Sequence, residues 1–152
     1  MTFANRGIYK GKWEDGVRHG SGTMTYADGD VYEGEWKNDG RTNGSGTMTY
    51  ANGGVYKGEW QDGVRHGSGT LSYVDGDVYK GKWKNGVRHG KGTLRYADGN
   101  VFKGEWKDDK KNGVGNGKYA DGGDYTGDCK DNYRHGTGTM KFANGDEYIG
   151  MW

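Results

Sequence analysis

Residues 9–31 read YKGKWEDGVRHGSGTMTYADGDV, and residues 32–55 repeat the same phrase as YEGEWKNDGRTNGSGTMTYANGGV. The copies start 23 residues apart, except for one interval of 24 residues between Tyr32 and Tyr56. Self-similarity at a fixed period of this size is typical of an array in which each repeat packs on its neighbours. The later copies begin at Tyr56, Tyr79, Phe102, Tyr125 and Tyr148.

The whole chain, residues 1–152, is therefore predicted to form one array. Its full units cover residues 9–31, 32–55, 56–78, 79–101, 102–124 and 125–147, with a half unit at 3–8 and a partial unit at 148–152. We number the 23 places of a unit from its opening aromatic residue. Places one and eighteen are aromatic, place five is Trp, and places three, twelve and fourteen are Gly.

Each unit has the pattern of a β-hairpin. Segments such as VYKGKW and GTMTY alternate bulky and polar residues with period two, which is the signature of a strand. Asp-Gly or Asn-Gly closes every unit, and these dipeptides are strong hairpin signals because both residues tolerate positive φ. The predicted fold is all-β, an elongated, twisted single-layer antiparallel meander of tandem hairpins.

An odd period requires one irregular connection per unit, since two even loops cannot return the alternation to the same face. We place the irregularity at the Ala-Asp-Gly segment, as a three-residue loop whose Gly is left-handed and forms a bulge. Places one, three, five, fourteen, sixteen and eighteen then share one face, which collects Tyr, Trp, Met or Leu, and Gly. The additional residue of the second unit is expected in the other, longer loop.

Composition limits the classes of function. The chain has 22 Lys and Arg against 21 Asp and Glu, so its net charge of +1 gives no general attraction to nucleic acid. A single cysteine fits a reducing compartment, and no apolar run reaches the length of a membrane helix. We expect a soluble cytoplasmic protein. Aromatic residues make up 14% of the chain, which argues against disorder.

The pattern YxGxWxxGxxHGxGxxxYxxG, as in residues 79–99, resembles the membrane occupation and recognition nexus (MORN) repeat over essentially the whole chain. The resemblance implies non-enzymatic scaffolding and docking of partners, with roles peripheral to membranes and the cytoskeleton. Anionic phospholipid binding is also implied. The fifth and sixth units depart from the pattern: Asp108 and Asp109 occupy the turn, and Cys129 replaces the Trp of place five.

A one-layer sheet has no second layer to cover its aromatic face, so we predict a groove there that docks a protein or peptide partner, such as an amphipathic helix. The alternative is that these rings simply stack along the sheet. The predicted groove residues are Tyr9, Trp13, Tyr26, Tyr32, Trp36, Tyr50, Tyr56, Trp60, Tyr73, Tyr79, Trp83 and Tyr96.

A basic stretch in the fourth unit suggests a second kind of function. Residues 80–96 contain six cations and no acid, which favours an anionic phospholipid surface or an acidic partner. The alternative functional class is therefore a membrane-surface tether. The predicted patch consists of Lys80, Lys82, Lys84, Arg88, Lys91 and Arg95.

No nucleophile, base and orienting group form a non-repeating constellation, and residues duplicated in every unit are architectural by default. We predict no enzyme activity, no cofactor and no metal. The four histidines share place eleven, and equivalent places in adjacent hairpins lie about 9.6 Å apart, too far for one zinc ion. Unpaired strand edges at the two ends of the array predict self-association as a further possibility.

Overall fold

The computed structural model describes residues 7–152, which form thirteen β-strands. Each hairpin unit contributes a seven-residue strand and then a strand of nine or ten residues. The strands are β1 Ile8–Glu14, β2 Val17–Thr25, β3 Val31–Lys37, β4 Gly40–Thr49, β5 Val55–Gln61, β6 Val64–Ser72, β7 Val78–Lys84, β8 Val87–Arg95, β9 Val101–Lys107, β10 Lys110–Lys118, β11 Asp124–Lys130, β12 Tyr133–Lys141 and β13 Glu147–Met151.

These strands form one sheet in which every strand pairs antiparallel with the next strand along the chain. The predicted single-layer meander of hairpins is confirmed. Within residues 7–152, β1 and β13 have a neighbour on one side only, and self-association through these edges stays a prediction. The half unit predicted at residues 3–8 lies outside the described residues, apart from Gly7 and Ile8. No segment of residues 7–152 forms a helix that could cross a membrane.

The two strands of each unit are joined by a two-residue turn in which both residues have positive φ. In the first unit Asp15 (48°) and Gly16 (78°) form this turn, and Glu14 pairs with Val17 across it. In the fifth unit Asp108 (49°) and Asp109 (67°) adopt the same conformation. Asp and Asn tolerate the left-handed region, so this unit, like the second and the sixth, keeps its hairpin without a turn glycine.

Successive units are joined by the Ala-Asp-Gly loop, and its predicted irregular geometry is confirmed. The Tyr26 N–H donates to the Asp30 carbonyl at 2.8 Å, which leaves three residues, 27–29, in the loop. Gly29 has φ 96°, and its N–H donates to the Tyr26 carbonyl at 3.1 Å. The Asp28 carboxylate accepts from the Asp30 N–H at 3.1 Å. This loop returns the side-chain alternation to the same face in every unit.

A bulge inside each hairpin takes up the remaining residues. Gly11 pairs with Gly22 and Trp13 pairs with Arg18, so residues 19–21 of β2 lie opposite Lys12 alone. In the second unit Gly34 pairs with Gly46 and Trp36 with Arg41, and four residues, 42–45, occupy the bulge. The expectation that the additional residue lies in a longer loop is wrong. Both connections are tight turns of fixed length, whereas a bulge absorbs a residue without changing the register beyond it.

The register places the predicted residues on a common face. Met24 pairs with both Tyr9 and Tyr32, the opening residues of two successive units. A row of paired glycines, one from each strand, crosses the entire sheet beside them. This glycine row consists of Gly11, Gly22, Gly34, Gly46, Gly58, Gly69, Gly81, Gly92, Gly104, Gly115, Gly127, Gly138 and Gly150.

The glycine row is needed because the place-one ring lies over it. A Cβ atom added at Gly34 or at Gly46 would stand 2.5 Å from the Tyr32 hydroxyl oxygen. Real Cβ atoms do not approach other atoms so closely. The ring therefore covers two glycines on adjacent strands, and the sheet builds its core on one face from its own side chains. Tyr32, Tyr56 and Tyr79 are completely buried in this way.

We predict that Gly81→Ala destabilises the protein by about 1–3 kcal/mol, the usual cost of overpacking. The new methyl group would lie 2.5 Å from the Gly92 Cα and 2.6 Å from the Tyr79 hydroxyl oxygen. The measurement is the free energy of unfolding in urea. Gly40→Ala is the matched control, because a Cβ there meets only the Lys37 carbonyl oxygen at 3.5 Å. Equal losses in the two variants would contradict the packing account.

Candidate interaction surfaces

The aromatic face contains a ladder of edge-to-face rings that is continuous from Trp13 to Phe102. Trp60 packs against Tyr56 of its own unit with ring centroids 5.1 Å apart, and against Tyr32 of the preceding unit at 5.5 Å. Trp83 repeats the pattern with Tyr79 at 5.1 Å and Tyr56 at 5.3 Å. This T-shaped geometry is favourable by about 0.5–1.5 kcal/mol per pair beyond area burial. The ladder joins each unit to the next.

The predicted groove is closed over its centre. Tyr32, Trp36, Tyr56, Trp60, Tyr79 and Trp83 are at most 5% exposed. Tyr9 and Trp13, at the β1 end of the sheet, are less covered, and Trp13 is 58% exposed. The interpretation in which the rings stack along the sheet therefore describes the central residues, and a partner cannot contact them without opening the core.

The polar atoms of Tyr79 and Trp83 are hydrogen-bonded within the sheet. The Trp83 Nε1–H donates to the Gly69 carbonyl of the preceding unit at 3.1 Å, and the Tyr79 hydroxyl donates to the Lys82 carbonyl at 3.0 Å. Burial raises the pKa of Tyr56 to about 12 and raises that of Tyr79 as well. These rings remain neutral at physiological pH and serve as structural groups.

An arginine at place ten covers the ladder, which sequence reasoning missed. The Arg88 guanidinium carbon lies 4.5 Å from the Trp106 ring centroid, and its Nε–H donates to the Asp109 carboxylate at 3.1 Å. Arg65 covers Trp83 at 4.5 Å in the same way. A recurring Arg at a fixed place, in phase with the Gly, Met or Leu, and Tyr of places fourteen, sixteen and eighteen, is the signal that could have identified it. Arg88 therefore lies on the aromatic face.

The accessible part of the predicted groove is a row of half-buried tyrosines at place eighteen, which includes Tyr26, Tyr50, Tyr73 and Tyr96. A cavity of about 350 Å³ lies between Tyr73 and Tyr96, with Leu94 also lining it. Between the more exposed rings at the two ends of the sheet, this tyrosine row is aromatic surface that a partner can contact.

The opposite face carries an open channel that was not predicted. From β6 to β10 each strand contributes its glycine of the glycine row and the two residues that flank it, and Thr126 of β11 completes the lining. This section encloses about 930 Å³, and a second section of about 760 Å³ continues across β1 to β5. The channel floor is a single layer of backbone, with the aromatic rings directly beneath it. The available signal was the recurrence of polar residues on both sides of glycines in this row, such as Ser68 and Thr70 beside Gly69 and Lys80 and Lys82 beside Gly81.

The structure separates the predicted basic patch. Lys80, Lys82 and Lys91 line the wider channel section, together with Lys103, which was not predicted. Lys84 pairs with Val87 next to the two-residue turn, and Arg95 pairs with Val78. Neither of them lines the channel. Arg88 is on the other face, so three of the six predicted residues share one site.

The histidines occupy place eleven of their units, and the cysteine occupies place five. Within residues 7–152, no group of His, Cys, Asp and Glu could hold a metal ion. The four histidines lie in the bulges of separate hairpins, and the His19 Nε2 atom is 3.2 Å from the Glu14 carboxylate. Cys129 is buried in the slot that Trp occupies in other units. It leaves the ring ladder interrupted between Phe102 and Tyr125.

Comparisons with known proteins agree with this architecture. The family model of the MORN repeat matches residues 9–31, 32–55, 56–78, 79–101, 102–123 and 125–147. No curated protein sequence matches the chain significantly. The TCP10 domain of Danio rerio CPAP is similar in fold, with a TM-score of 0.50 at 13% identity, over 87% of this chain and 62% of that domain. The SAS-4 (dCPAP) TCP domain of Drosophila melanogaster, solved with a proline-rich motif of Ana2 (dSTIL), matches with a TM-score of 0.40 at 15% identity, over 97% of this chain and 90% of that one.

The closed ladder predicts the response of tryptophan fluorescence to acrylamide. Trp13 and Trp152 are 58% and 37% exposed, whereas the central tryptophans are buried. We expect the double variant Trp13→Phe/Trp152→Phe to lower the Stern–Volmer constant at least about twofold. The control Trp60→Phe removes a buried ring, so the quenching of Trp13 and Trp152 by acrylamide should remain. Strong quenching in the double variant would show that the central rings line an open groove.

Burial also predicts the reactivity of Cys129. Desolvation raises the pKa of its thiol, although Lys111 acts in the opposite direction. Because the thiolate is the reactive form, its population at neutral pH falls as the pKa rises. We expect Ellman's reagent to label the native protein at least about tenfold more slowly than the protein unfolded in guanidinium chloride. Equal rates in both states would contradict a buried thiol.

Proposed function

Because the chain belongs to the MORN repeat family, we propose that it is a non-enzymatic protein-interaction scaffold that docks a linear segment of a partner protein. The observation that carries the proposal is the open channel beside the closed aromatic core. The aromatic rings are used for folding, which leaves the opposite face free for binding. The channel crosses many repeats, so one partner segment can contact several units at once.

The channel sets the length of the segment it can hold. From β1 to β11 it spans ten strand intervals, or about 48 Å at about 4.8 Å per interval. An extended segment of about 14 residues or an amphipathic helix of about 32 residues would cover this distance. The segment must run along the array and across the strands. A surface of this length supports scaffolding more readily than capture of a small ligand.

The tyrosine row on the aromatic face is the rival docking surface. Tyr73 and Tyr96 flank a cavity of about 350 Å³, much smaller than either section of the channel. Partly exposed tyrosines are frequent anchors in interfaces. The difference in volume and continuity favours the channel as the principal site.

The alternative function is a tether to anionic phospholipid at a membrane surface. It is favoured by the grouping of Lys80, Lys91 and Lys103 in one channel section. Each lysine near an anionic surface contributes about 1 kcal/mol to attachment. A flat bilayer over this face would also meet Glu33 and Glu35 of the other channel section, which is why this function is placed second.

Blocking the channel tests the proposal. Thr70 and Thr93 line it, and the double variant Thr70→Trp/Thr93→Trp would fill the wider section with two large rings. The wild-type chain and this variant are used to capture partners by cross-linking in lysate of the source cell, followed by mass spectrometry. We expect specific partners to be reduced at least about tenfold with the variant, because a steric block removes the anchors at the centre of an interface.

The matched control is Thr25→Trp/Thr49→Trp, which adds the same side chains at exposed positions outside the channel. It should retain the wild-type partners. If the channel variant and the control capture the same partners equally, docking does not use the channel. Loss in Tyr73→Ala/Tyr96→Ala, with retention in the channel variant, would instead assign docking to the tyrosine row.

A further inference from the structure

Charge is distributed unevenly along the channel. The section across β1 to β5 is lined by Lys10, Glu33, Glu35 and Lys57, two charges of each sign. The section across β6 to β11 is lined by four lysines, Lys80, Lys82, Lys91 and Lys103, and by one acid, Glu105. The protein as a whole has a net charge of only +1, so this section is a local concentration of positive charge.

The charge of these lysines is poorly compensated inside the protein. The Lys82 Nζ donates to the Ser68 hydroxyl at 2.8 Å, which is a neutral partner. Elsewhere in residues 7–152 lysines do form ion pairs, as Lys110 does with Asp131 at 3.3 Å. Among those same residues, no carboxylate lies within ion-pair distance of Lys80, Lys91 or Lys103. The channel therefore presents cations that are available to a ligand.

The lysines are interleaved with hydroxyl donors along one wall of the channel. Thr70 pairs with Lys80, Lys80 pairs with Thr93, and Thr93 pairs with Lys103 on successive strands. Lysines on alternate strands lie about 9.6 Å apart. Both ammonium and hydroxyl groups donate to carboxylate oxygens, and bonds to charged groups are the stronger ones. The wall is suited to a series of acidic groups presented along the array axis.

We propose that the occupant of this section is an acidic segment of a partner protein, with its Asp and Glu side chains over β7 to β9. This inference rests on the proposed function, since it names the chemistry of the segment that the channel docks. The mixed section at β1 to β5 takes the neutral or mixed-charge continuation of the same segment. The charge pattern thereby fixes the direction in which the partner lies along the array.

A polypeptide segment matches this pattern better than a lipid surface does. An anionic bilayer that spanned the face would meet Glu33 and Glu35 in the mixed section as well as the four lysines. Like charges brought together across an interface are unfavourable. A segment whose acids are confined to one end avoids this repulsion and satisfies both sections.

The test uses a fluorescein-labelled peptide of about 14 residues in which Glu and Ser alternate over one half and Gly and Ser alternate over the other. Its fluorescence anisotropy is measured with the wild-type chain and with Lys80→Glu/Lys82→Glu/Lys91→Glu/Lys103→Glu. We expect the fourfold variant to bind at least about tenfold more weakly. Binding to the wild type should also weaken at least about tenfold between about 50 and about 300 mM salt, because the attraction is screened. A peptide with Gln in place of Glu should not bind.

The charge control is Lys37→Glu/Lys84→Glu/Lys107→Glu/Lys130→Glu. It changes the net charge by the same amount at exposed lysines beside the two-residue turns, outside the channel. Circular dichroism confirms that both variants remain folded. Equal weakening by the two fourfold variants would reduce the effect to overall charge and would overturn the proposal.

Vesicles of phosphatidylcholine with phosphatidylserine form the last arm. If the wild type sediments with these vesicles, the channel variant does not, and the Glu peptide fails to bind, then the lysines serve a lipid headgroup and the acidic segment is wrong. If the peptide fails to bind while Thr70→Trp/Thr93→Trp still abolishes partner capture, the channel docks a segment of other chemistry. In that case the proposed function stands without this inference. If the Glu peptide fails to bind and Thr70→Trp/Thr93→Trp captures the same partners as the wild type, both this inference and docking in the channel are wrong.

Discussion

The fit of an aromatic ring over a pair of glycines is the contact on which this structure depends. A single-layer sheet has no second layer to bury its apolar face. Here the place-one ring lies over two glycines on adjacent strands. The Trp of the following unit then packs edge-to-face against this ring, as Trp60 does against Tyr32. The core is therefore assembled within one layer, unit by unit. Any side chain on the glycine row would lift the ring and expose its neighbours.

This solution determines which face remains for binding. The rings that look like partner anchors in the sequence are consumed by the core, whereas the far side of the same glycines becomes the floor of a channel. Residues that repeat in every unit hold the fold. Residues that vary between units, such as Lys91 where the first three units have Ser, give the channel its local charge. Architecture and specificity thus lie on opposite sides of one backbone layer.

The fold can be predicted well from the sequence because the same strand and turn patterns recur in successive units. The period, the Asp-Gly turns and the alternation of Tyr and Gly suffice to predict the meander, the three-residue loop and the common aromatic face. The face of Arg88 was predictable as well, because the three-residue bulge of residues 89–91 leaves it in phase with Leu94 and Tyr96, and its assignment to the basic patch overlooked this alternation. The burial of Trp60 and Trp83 depends on rings from the preceding unit, which a pattern within one unit does not reveal.

The bulge of each hairpin also separates the length of a repeat from its alignment. In β4 an additional residue enlarges the bulge, yet Gly46 and Gly58 still pair, and every later strand keeps its phase. A deletion or insertion at this site affects one hairpin only. It does not change the face of the sheet to which the side chains of later strands point. Such an array can therefore accumulate variation in repeat length while neighbouring units keep their core and channel in line.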